Sequence, residues 1–327
     1  MQLREISPST RIEWKRCTDV PVSWYRPQIV VSGQKIYVGG GVAADLDMFT
    51  VLEYDLLGDT WKLHSQSKVV LYGLSYFQGE LITVGGCNIQ RVSANVSSYE
   101  QQSKKWEEKI PPMPTARTTP IVVSTDKAII VCGGAIMDDC QEPIPCKLVE
   151  IYSSETFQWH RSAQLLHPYA AAPSVVIGDY CFLVGEAAEK DGSRKVTYAN
   201  TKDLISFRPN REKVKEPTPS NSSSSELQVW KELPECPLIG SAAVSINGAL
   251  LTLGGDDNSE GDATTVNQVH IFTPETNSWI ELKYAGLQEA LGGSSAAQII
   301  DSNRVVIVGG TGPDDKNSVS MFVGTLV

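Results

Sequence analysis

The sequence predicts an all-β protein in which one unit is repeated six times around a ring. Glycine pairs recur after short apolar runs at 39–40, 85–86, 133–134, 254–255 and 309–310, and Gly185-Glu186 is a degenerate copy. A tryptophan follows each of the first five units: Trp61, Trp106, Trp159, Trp230 and Trp279. Apolar runs that end at turn residues are typical of β-strands, and a repeated pattern of this length indicates a repeat architecture.

The first unit shows the pattern most clearly. Lys35 to Val38 runs into the glycines, Thr50 to Asp55 forms a second strand-like run, and Trp61 follows a turn. An aromatic residue stands seven positions before the tryptophan in four units: Tyr54, Tyr99, Tyr152 and Phe272. Each unit therefore predicts antiparallel strands joined by short turns.

Two incomplete pieces predict how the ring closes. The last glycine pair is followed by a strand around Phe322, but the chain ends at Val327 before any tryptophan. Trp14 has no glycine pair before it. We expect the N-terminal strand around Trp14 to supply the fourth strand of the last unit, and so to act as a clasp.

The order of strand, Gly-Gly, aromatic strand, turn and tryptophan resembles the Kelch repeat over nearly the whole chain. The resemblance implies a six-bladed β-propeller with four antiparallel strands per blade around a central channel. The expected blades lie at approximately 22–66, 67–111, 115–164, 167–235, 238–285 and 289–327, with 11–18 completing the last. A single small sheet cannot bury both faces, whereas stacked neighbours bury a continuous core.

Blade 4 departs from the pattern. Its third strand, near Lys195 to Phe207, lacks the aromatic residue at the usual place. The stretch 208–226 follows, with three prolines and a run of four serines. Such a composition buries too little apolar surface to order itself, so we expect a flexible loop between the third and fourth strands.

Composition and charge limit the possible functions. The net charge of −10 argues against nucleic-acid binding, which needs a basic surface. No run of 18 apolar residues occurs, and the N-terminus has no apolar signal core, so we expect neither a membrane span nor secretion. Seven scattered cysteines are not a disulfide framework. We therefore expect a monomeric cytoplasmic propeller with reduced thiols.

In a four-stranded meander, the loop after each glycine pair and the residues leading into each inner strand lie at the same end. The loops on this face are rich in acids, and we single out Asp138, Asp139, Asp256, Asp257 and Asp314. A field of one sign around a channel mouth favours a basic peptide or surface. Aspartate is also an ordinary turn residue, chosen for local hydrogen bonds.

Candidate contact residues precede the inner strands of blades 1 to 4: Tyr25, Arg26, Tyr72, Arg117 and Tyr169. Tyrosine and arginine commonly anchor interfaces, and the resemblance supports the placement, because Kelch substrate receptors often use this position to contact peptides. The register of this assignment is open by two or three residues.

No catalytic motif is evident. The four histidines lie in separate blades without metal-ligand spacing, and neither a nucleophile elbow nor His-Glu-x-x-His occurs. Asp256 to Asp262 resembles part of a calcium loop, but Asn267 stands where a bidentate Glu is needed. We expect no metal and no cofactor.

We predict a non-catalytic module that binds a partner protein or peptide at the channel mouth. The resemblance leaves open a substrate-recognition role in a ubiquitin-ligase adaptor and a cytoskeletal role. The alternative is a sugar-handling or metal-dependent propeller enzyme with its site in the same mouth.

Overall fold

A computed structural model places the chain in six four-stranded antiparallel sheets, which are the blades of a β-propeller. The structure describes residue 3 and residues 6–43, 49–88, 91–140, 142–186, 194–207, 229–258, 263–292, 295–312 and 318–327. The expected flexible loop, 208–226, lies outside these ranges. Within them, no helix has the length and apolar character needed to cross a membrane.

The strands of the first three blades follow the chain in order. They are β1 (Ile12–Arg16), β2 (Trp24–Tyr25), β3 (Gln28–Ser32), β4 (Lys35–Gly39), β5 (Val42–Ala43), β6 (Thr50–Asp55), β7 (Thr60–Gln66), β8 (Gly73–Phe77), β9 (Glu80–Val84), β10 (Val96–Glu100), β11 (Lys105–Ile110), β12 (Ile121–Ser124), β13 (Ala128–Cys132), β14 (Ala135–Met137), β15 (Pro143–Pro145), β16 (Val149–Ser153) and β17 (Gln158–Arg161). Blades 1, 2 and 3 are β3-β4-β6-β7, β8-β9-β10-β11 and β12-β13-β16-β17. Two short ribbons, β2-β5 and β14-β15, stand beside blades 1 and 3.

The described residues of the remaining blades include one helix. Their elements are β18 (Ser174–Ile177), β19 (Tyr180–Glu186), β20 (Arg194–Asn200), α1 (Thr201–Ser206), β21 (Lys231–Leu233), β22 (Ala242–Ile246), β23 (Ala249–Asp257), β24 (Thr264–Thr273), β25 (Ser278–Glu281), β26 (Ser295–Ile299), β27 (Arg304–Gly309) and β28 (Met321–Leu326). Blade 6 is β26-β27-β28-β1, with Ile12 opposite Leu326 and Arg16 opposite Phe322. The prediction that an N-terminal strand completes the last blade is confirmed.

Six of the seven tryptophans, all but Trp24, join each blade to the one before it. Each indole Nε1 donates a hydrogen bond to the preceding blade or its exit: Trp61 to Thr18 O (2.9 Å), Trp106 to Ser65 Oγ (3.2 Å), Trp159 to Pro111 O (2.7 Å), Trp230 to Ala163 O (3.1 Å), Trp279 to Pro234 O (3.0 Å) and Trp14 to Ala285 O (2.8 Å). Because a buried indole N–H needs an acceptor, these bonds set the position of each neighbour. Trp14 performs this role for blade 6, which closes the ring.

The glycine pairs permit a close approach between blades. Gly134 N donates to Tyr169 O (2.8 Å), and Gly255 N donates to Leu291 O (2.9 Å). A Cβ on Gly133 would lie 2.4 Å from Tyr169 O, at a φ of +53°. Only glycine combines that conformation with that contact at low cost, so the repeat needs glycine for blade packing.

The hydrophobic core is a ring rather than a single centre. Among the described residues, the buried side chains form six clusters, and each draws on two neighbouring blades. One cluster joins Val306 and Met321 of blade 6 to Ile36 and Tyr54 of blade 1. Burial between sheets therefore holds the whole circle together, as expected for stacked repeats.

Two elements differ from the sequence-based expectation. In blade 4 the third strand ends at Asn200 and α1 follows, because the Asn200 side chain caps the helix by accepting bonds from Lys202 N and Asp203 N. In blade 5, β23 continues through its glycine pair to Asp257. The register shifts between Leu253 and Gly255, so the glycines form a β-bulge within the strand.

Candidate functional site

The loops after the glycine pairs and the segments leading into the inner strands share one face of the propeller, which we call the upper face. The inner strands are β3, β8, β12, β18, β22 and β26, and each pairs antiparallel with the next strand of its blade. The hairpin turns between first and second strands, together with α1, lie on the opposite face.

A central channel of about 790 Å³ is lined by all six inner strands. Most of the lining is small, apolar or hydroxylic, as at Val30, Val122, Ala243 and Ser124. In the described lining, Asp256 is the sole carboxylate and Arg26 is the sole cation, and no histidine is present. General acid–base catalysis uses a titratable side chain within hydrogen-bond reach of the substrate proton that it moves, and Asp256 is the one carboxylate that the described lining offers for that role.

Tyr25 and Arg26 lie exposed at the upper mouth of this channel. Tyr25 is 44% exposed, and the guanidinium carbon of Arg26 lies 5.2 Å from the centre of the Tyr25 ring. The ribbon β2-β5 supports them, with Tyr25 opposite Val42. Gly41 makes this possible, because a Cβ there would lie 2.2 Å from Tyr25 O and 2.5 Å from Arg26 O. The pair is thus presented to solvent on a supported backbone.

A left-handed residue precedes the inner strand in five blades. These residues are Arg26 (φ 53°), Leu71 (52°), Thr119 (46°), Ala171 (56°) and Gly240 (63°). Non-glycine residues seldom adopt positive φ, and such residues cluster at functional sites. Of these five residues, Arg26, Ala171 and Gly240 line the channel. The sequence carries a weak signal for this conformation, since Pro27 and Pro120 each follow the left-handed residue directly.

Tyr72 and Tyr169 lie inside the protein. They are 2% and 0% exposed, and neither lines the channel. Tyr72 packs on the glycine pair of blade 1, since a Cβ on Gly39 would lie 2.5 Å from its hydroxyl oxygen. Burial raises the pKa of the Tyr72 phenol above its ordinary value. In this structure both side chains serve blade packing, and neither presents a surface to a partner.

Arg117 is also fully buried, against the expectation of an exposed contact. Its Nη2 donates to Glu150 Oε2 at 2.6 Å, and its Nη1 donates to Gly133 O (3.0 Å) and Leu148 O (3.1 Å). Thr115 Oγ1 also donates to Glu150, at 2.7 Å. Both charged side chains are 0% exposed. A buried charge is tolerated only when it is paired and hydrogen-bonded, and Arg117 meets that condition by joining blade 2 to blade 3.

The predicted acidic residues fall into three groups. Asp256 lines the channel mouth, where its Oδ1 accepts a bond from Thr265 Oγ1 (2.8 Å), and the half-buried Asp257 follows it on β23. Asp138 and Asp139 lie at the tip of the β14-β15 ribbon. There Asp138 Oδ1 accepts from Cys140 N and Glu142 N, both at 2.8 Å, as a turn residue does. Asp314 lies outside the described residues.

The described residues include no group of three or more His, Cys, Asp or Glu side chains placed to hold a metal ion. Part of the candidate calcium turn, 259–262, is not described. The cysteines are free, and five of the seven are buried. Burial raises the pKa of the Cys132 and Cys181 thiols, which makes them poor nucleophiles.

The fold and this site define a class of protein: a closed six-bladed β-propeller whose central channel opens between loops on one face. The family model of the Kelch motif matches residues 237–284, which form blade 5. Human Kelch-like protein 38 is 23% identical over 180 residues, 53% of this chain and 30% of the relative. Beta-scruin of Limulus polyphemus is 20% identical over 191 residues, 55% of this chain and 21% of the relative.

A solved structure, "Structure of YjhT", matches with a TM-score of 0.69 and 14% identity, covering 95% of this chain and 99% of that chain. That likeness concerns the fold alone. The chain spans less than a third of the length of the curated relatives named above. The repeated glycine and tryptophan pattern, the matching motif in blade 5 and the similarity to these relatives all support a Kelch-repeat family.

Proposed function

We propose that this propeller is a non-catalytic recognition module that binds a segment of a partner protein at the upper mouth of the channel. The supporting observation is the exposed Tyr25 and Arg26 pair at the rim of a channel whose described lining holds one carboxylate and one cation. Arginine and tyrosine are the residues that most often dominate binding energy when they are covered by a partner. Their supported backbone lowers the entropy lost on binding.

The charge around the mouth favours a partner segment that carries basic residues. Asp256 lies in the mouth and Asp257 beside it, and the chain as a whole carries a net charge of −10. Complementary charge mainly raises the association rate and is weakened by salt. We therefore expect association of the partner to slow as ionic strength rises.

The same mouth would serve the more specific roles. One relative is named Kelch repeat and BTB domain-containing protein 12, with 26% identity over 174 residues and 28% of its length covered. That relative combines repeats with another domain, which fits a substrate-recognition role in a larger adaptor; a cytoskeletal partner would use the same surface. We propose a monomeric propeller in the cytoplasm, consistent with its free cysteines.

The test places a photo-crosslinking phenylalanine analogue at position 25 and, as a matched control, at position 284. Tyr284 is also exposed (62%) and also lies under an arginine, with Arg11 5.6 Å from its ring centre, but it is outside the channel lining. We expect a partner segment to crosslink at position 25 and not at position 284. The crosslinked segment is then identified by mass spectrometry and synthesised.

Binding of that synthetic segment is measured for the Tyr25→Ala/Arg26→Ala variant and for the control Arg11→Ala/Tyr284→Ala. Loss of an interface anchor costs about 2 kcal/mol or more, so we expect the dissociation constant to rise by more than about tenfold for the first variant only. Thermal melting checks that both variants fold. Equal affinity in the two variants would exclude the mouth pair as the anchor.

A further inference from the structure

A second hollow opens on the upper face, farther from the axis than the mouth and between blades 1 and 2. Its volume is about 200 Å³. Its walls are the connection from blade 1 to blade 2, the loop after the blade 2 glycine pair, and the upper part of blade 2. The polar lining includes Lys68, Asn88, Arg91, Ser93, Asn95 and Glu108. None of these residues belongs to the channel.

The loop beside this hollow differs in charge from the other loops that follow a glycine pair. Lys68 and Arg91 are exposed, and neither forms an ion pair with any residue that the structure describes. The loop 87–95 contains no Asp or Glu, whereas every other loop after a glycine pair or its degenerate copy does. Glu108 is the sole carboxylate in the described lining, and it accepts a hydrogen bond from Asn95 Nδ2 at 2.7 Å. The described lining therefore carries two positive side chains and one carboxylate, although the chain as a whole has a net charge of −10.

The described backbone around the hollow, which leaves out residues 89 and 90, is held by hydrogen bonds before any ligand arrives. Val70 and Cys87 exchange two backbone hydrogen bonds of 2.8 Å, which tie the connection to the loop. Arg91 N donates to Asn88 Oδ1 at 3.0 Å. Asn95 N donates to Ser93 Oγ, also at 3.0 Å. A preformed site loses less conformational entropy on binding, so these bonds favour recognition over a merely solvated loop.

We infer that this hollow binds an anionic side chain of the partner, either a carboxylate or a phosphorylated hydroxyl. The guanidinium of Arg91 offers paired donors that match carboxylate and phosphate oxygens, and Lys68 adds a compact positive charge. The hollow is smaller than the ~300–1,000 Å³ typical of sites for whole small molecules, which suits one side-chain head group. The inference rests on the proposed function, because the anion belongs to the segment whose other part occupies the mouth.

The test uses three acetylated, amidated tripeptides of sequence Gly-X-Gly, with X as phosphoserine, glutamate or serine. Each is titrated into the full chain while the backbone amide resonances of Ser93 and Ser97 are followed by NMR. We expect saturable shifts with the phosphoserine peptide and no shifts with the serine peptide. The separate titration with the glutamate peptide distinguishes the two kinds of anion. Binding of both anions indicates that a carboxylate suffices, whereas binding of phosphoserine alone indicates a phosphorylated partner.

The Lys68→Ala/Arg91→Ala variant should raise the dissociation constant of the bound anionic peptide at least tenfold. Lys105→Ala is the matched control, because Lys105 is an exposed cation on β11 of the same blade and does not line the hollow. The amide spectrum shows whether each variant folds. Equal shifts with the serine peptide, no shifts with either anion, or unchanged affinity in the double variant would overturn the inference. Crosslinking at position 25 would persist in those cases, so failure of the hollow is distinguishable from failure of the mouth.

Discussion

Replacing Arg117 with methionine should destabilise the propeller strongly, because it leaves the buried Glu150 carboxylate without its main partner. Both side chains are 0% exposed, and Arg117 makes three hydrogen bonds of 2.6 to 3.1 Å. After the change, Glu150 keeps the two bonds that Thr115 donates from its backbone N and its Oγ1, while Arg161 lies 3.8 Å away as an exposed cation. Removing one member of a buried ion pair typically costs about 3–5 kcal/mol.

We therefore expect Arg117→Met to lower the free energy of unfolding by about 3–5 kcal/mol, a large part of the roughly 5–15 kcal/mol that holds most folded proteins. Replacing both members with methionine removes both charges. Burying two apolar side chains of similar size is often neutral or favourable, so the double variant should regain most of the lost stability.

The assay is equilibrium unfolding in urea, followed by tryptophan fluorescence, for wild type, the two single variants and the double variant. Lys127→Met is the control, since its pair with Glu155 is exposed and should contribute little. A loss for Arg117→Met no larger than that of the control would refute the burial argument. An Arg117→Met protein of normal stability that no longer bound the partner would instead support Arg117 as a partner contact.

Three further predictions follow from packing and burial. Gly133→Ala should destabilise the fold more than Gly178→Ala in the same urea assay, because both need positive φ but only Gly133 has a backbone oxygen 2.4 Å from the new Cβ. Burial lowers the pKa of His64, so the contribution of His64 to stability is complete above about pH 6.5 and is lost as the pH falls. His64→Gln should therefore reduce the difference between the urea midpoints measured at neutral and at mildly acidic pH. An unchanged difference would contradict this role of His64. In the native state, the exposed Cys140 should react with a thiol reagent long before the buried Cys181, because burial raises the pKa of Cys181 to about 12. Mass spectrometry of the labelled peptides measures the order of reaction. Earlier labelling of Cys181 would contradict its burial.

The repeat architecture could be predicted because it depends on local chemistry that recurs. Glycine is needed where one blade approaches the next, and tryptophan is needed to donate a bond to the preceding blade. Both residues are conspicuous in a sequence. The unpaired Trp14 was sufficient to predict closure of the ring, since its indole performs the same role as Trp61.

The candidate site was less predictable, because a shift of one or two residues changes which side chain faces the mouth. Tyr25 and Arg26 are exposed as expected, whereas Tyr72 and Arg117 are buried. All four stand within a few residues of an inner strand, so their sequence context is alike. The hollow between blades 1 and 2 could not be predicted from the sequence either. Lys68 and Arg91 are far apart in the chain, and they line the same hollow because Val70 and Cys87 are hydrogen-bonded to each other.

The sequence by itself determined the class of fold, the number of blades and the place where the ring closes, since each depends on residue types repeated at a near-constant spacing. The tertiary structure decided which of the candidate polar side chains are buried between blades and which are exposed to a partner. The physical reason lies in the left-handed residue that precedes five of the six inner strands, such as Arg26. Arg26 lies at the mouth, whereas Tyr72, Arg117 and Tyr169, which stand within two residues of the left-handed residue of their own blades, are buried between blades.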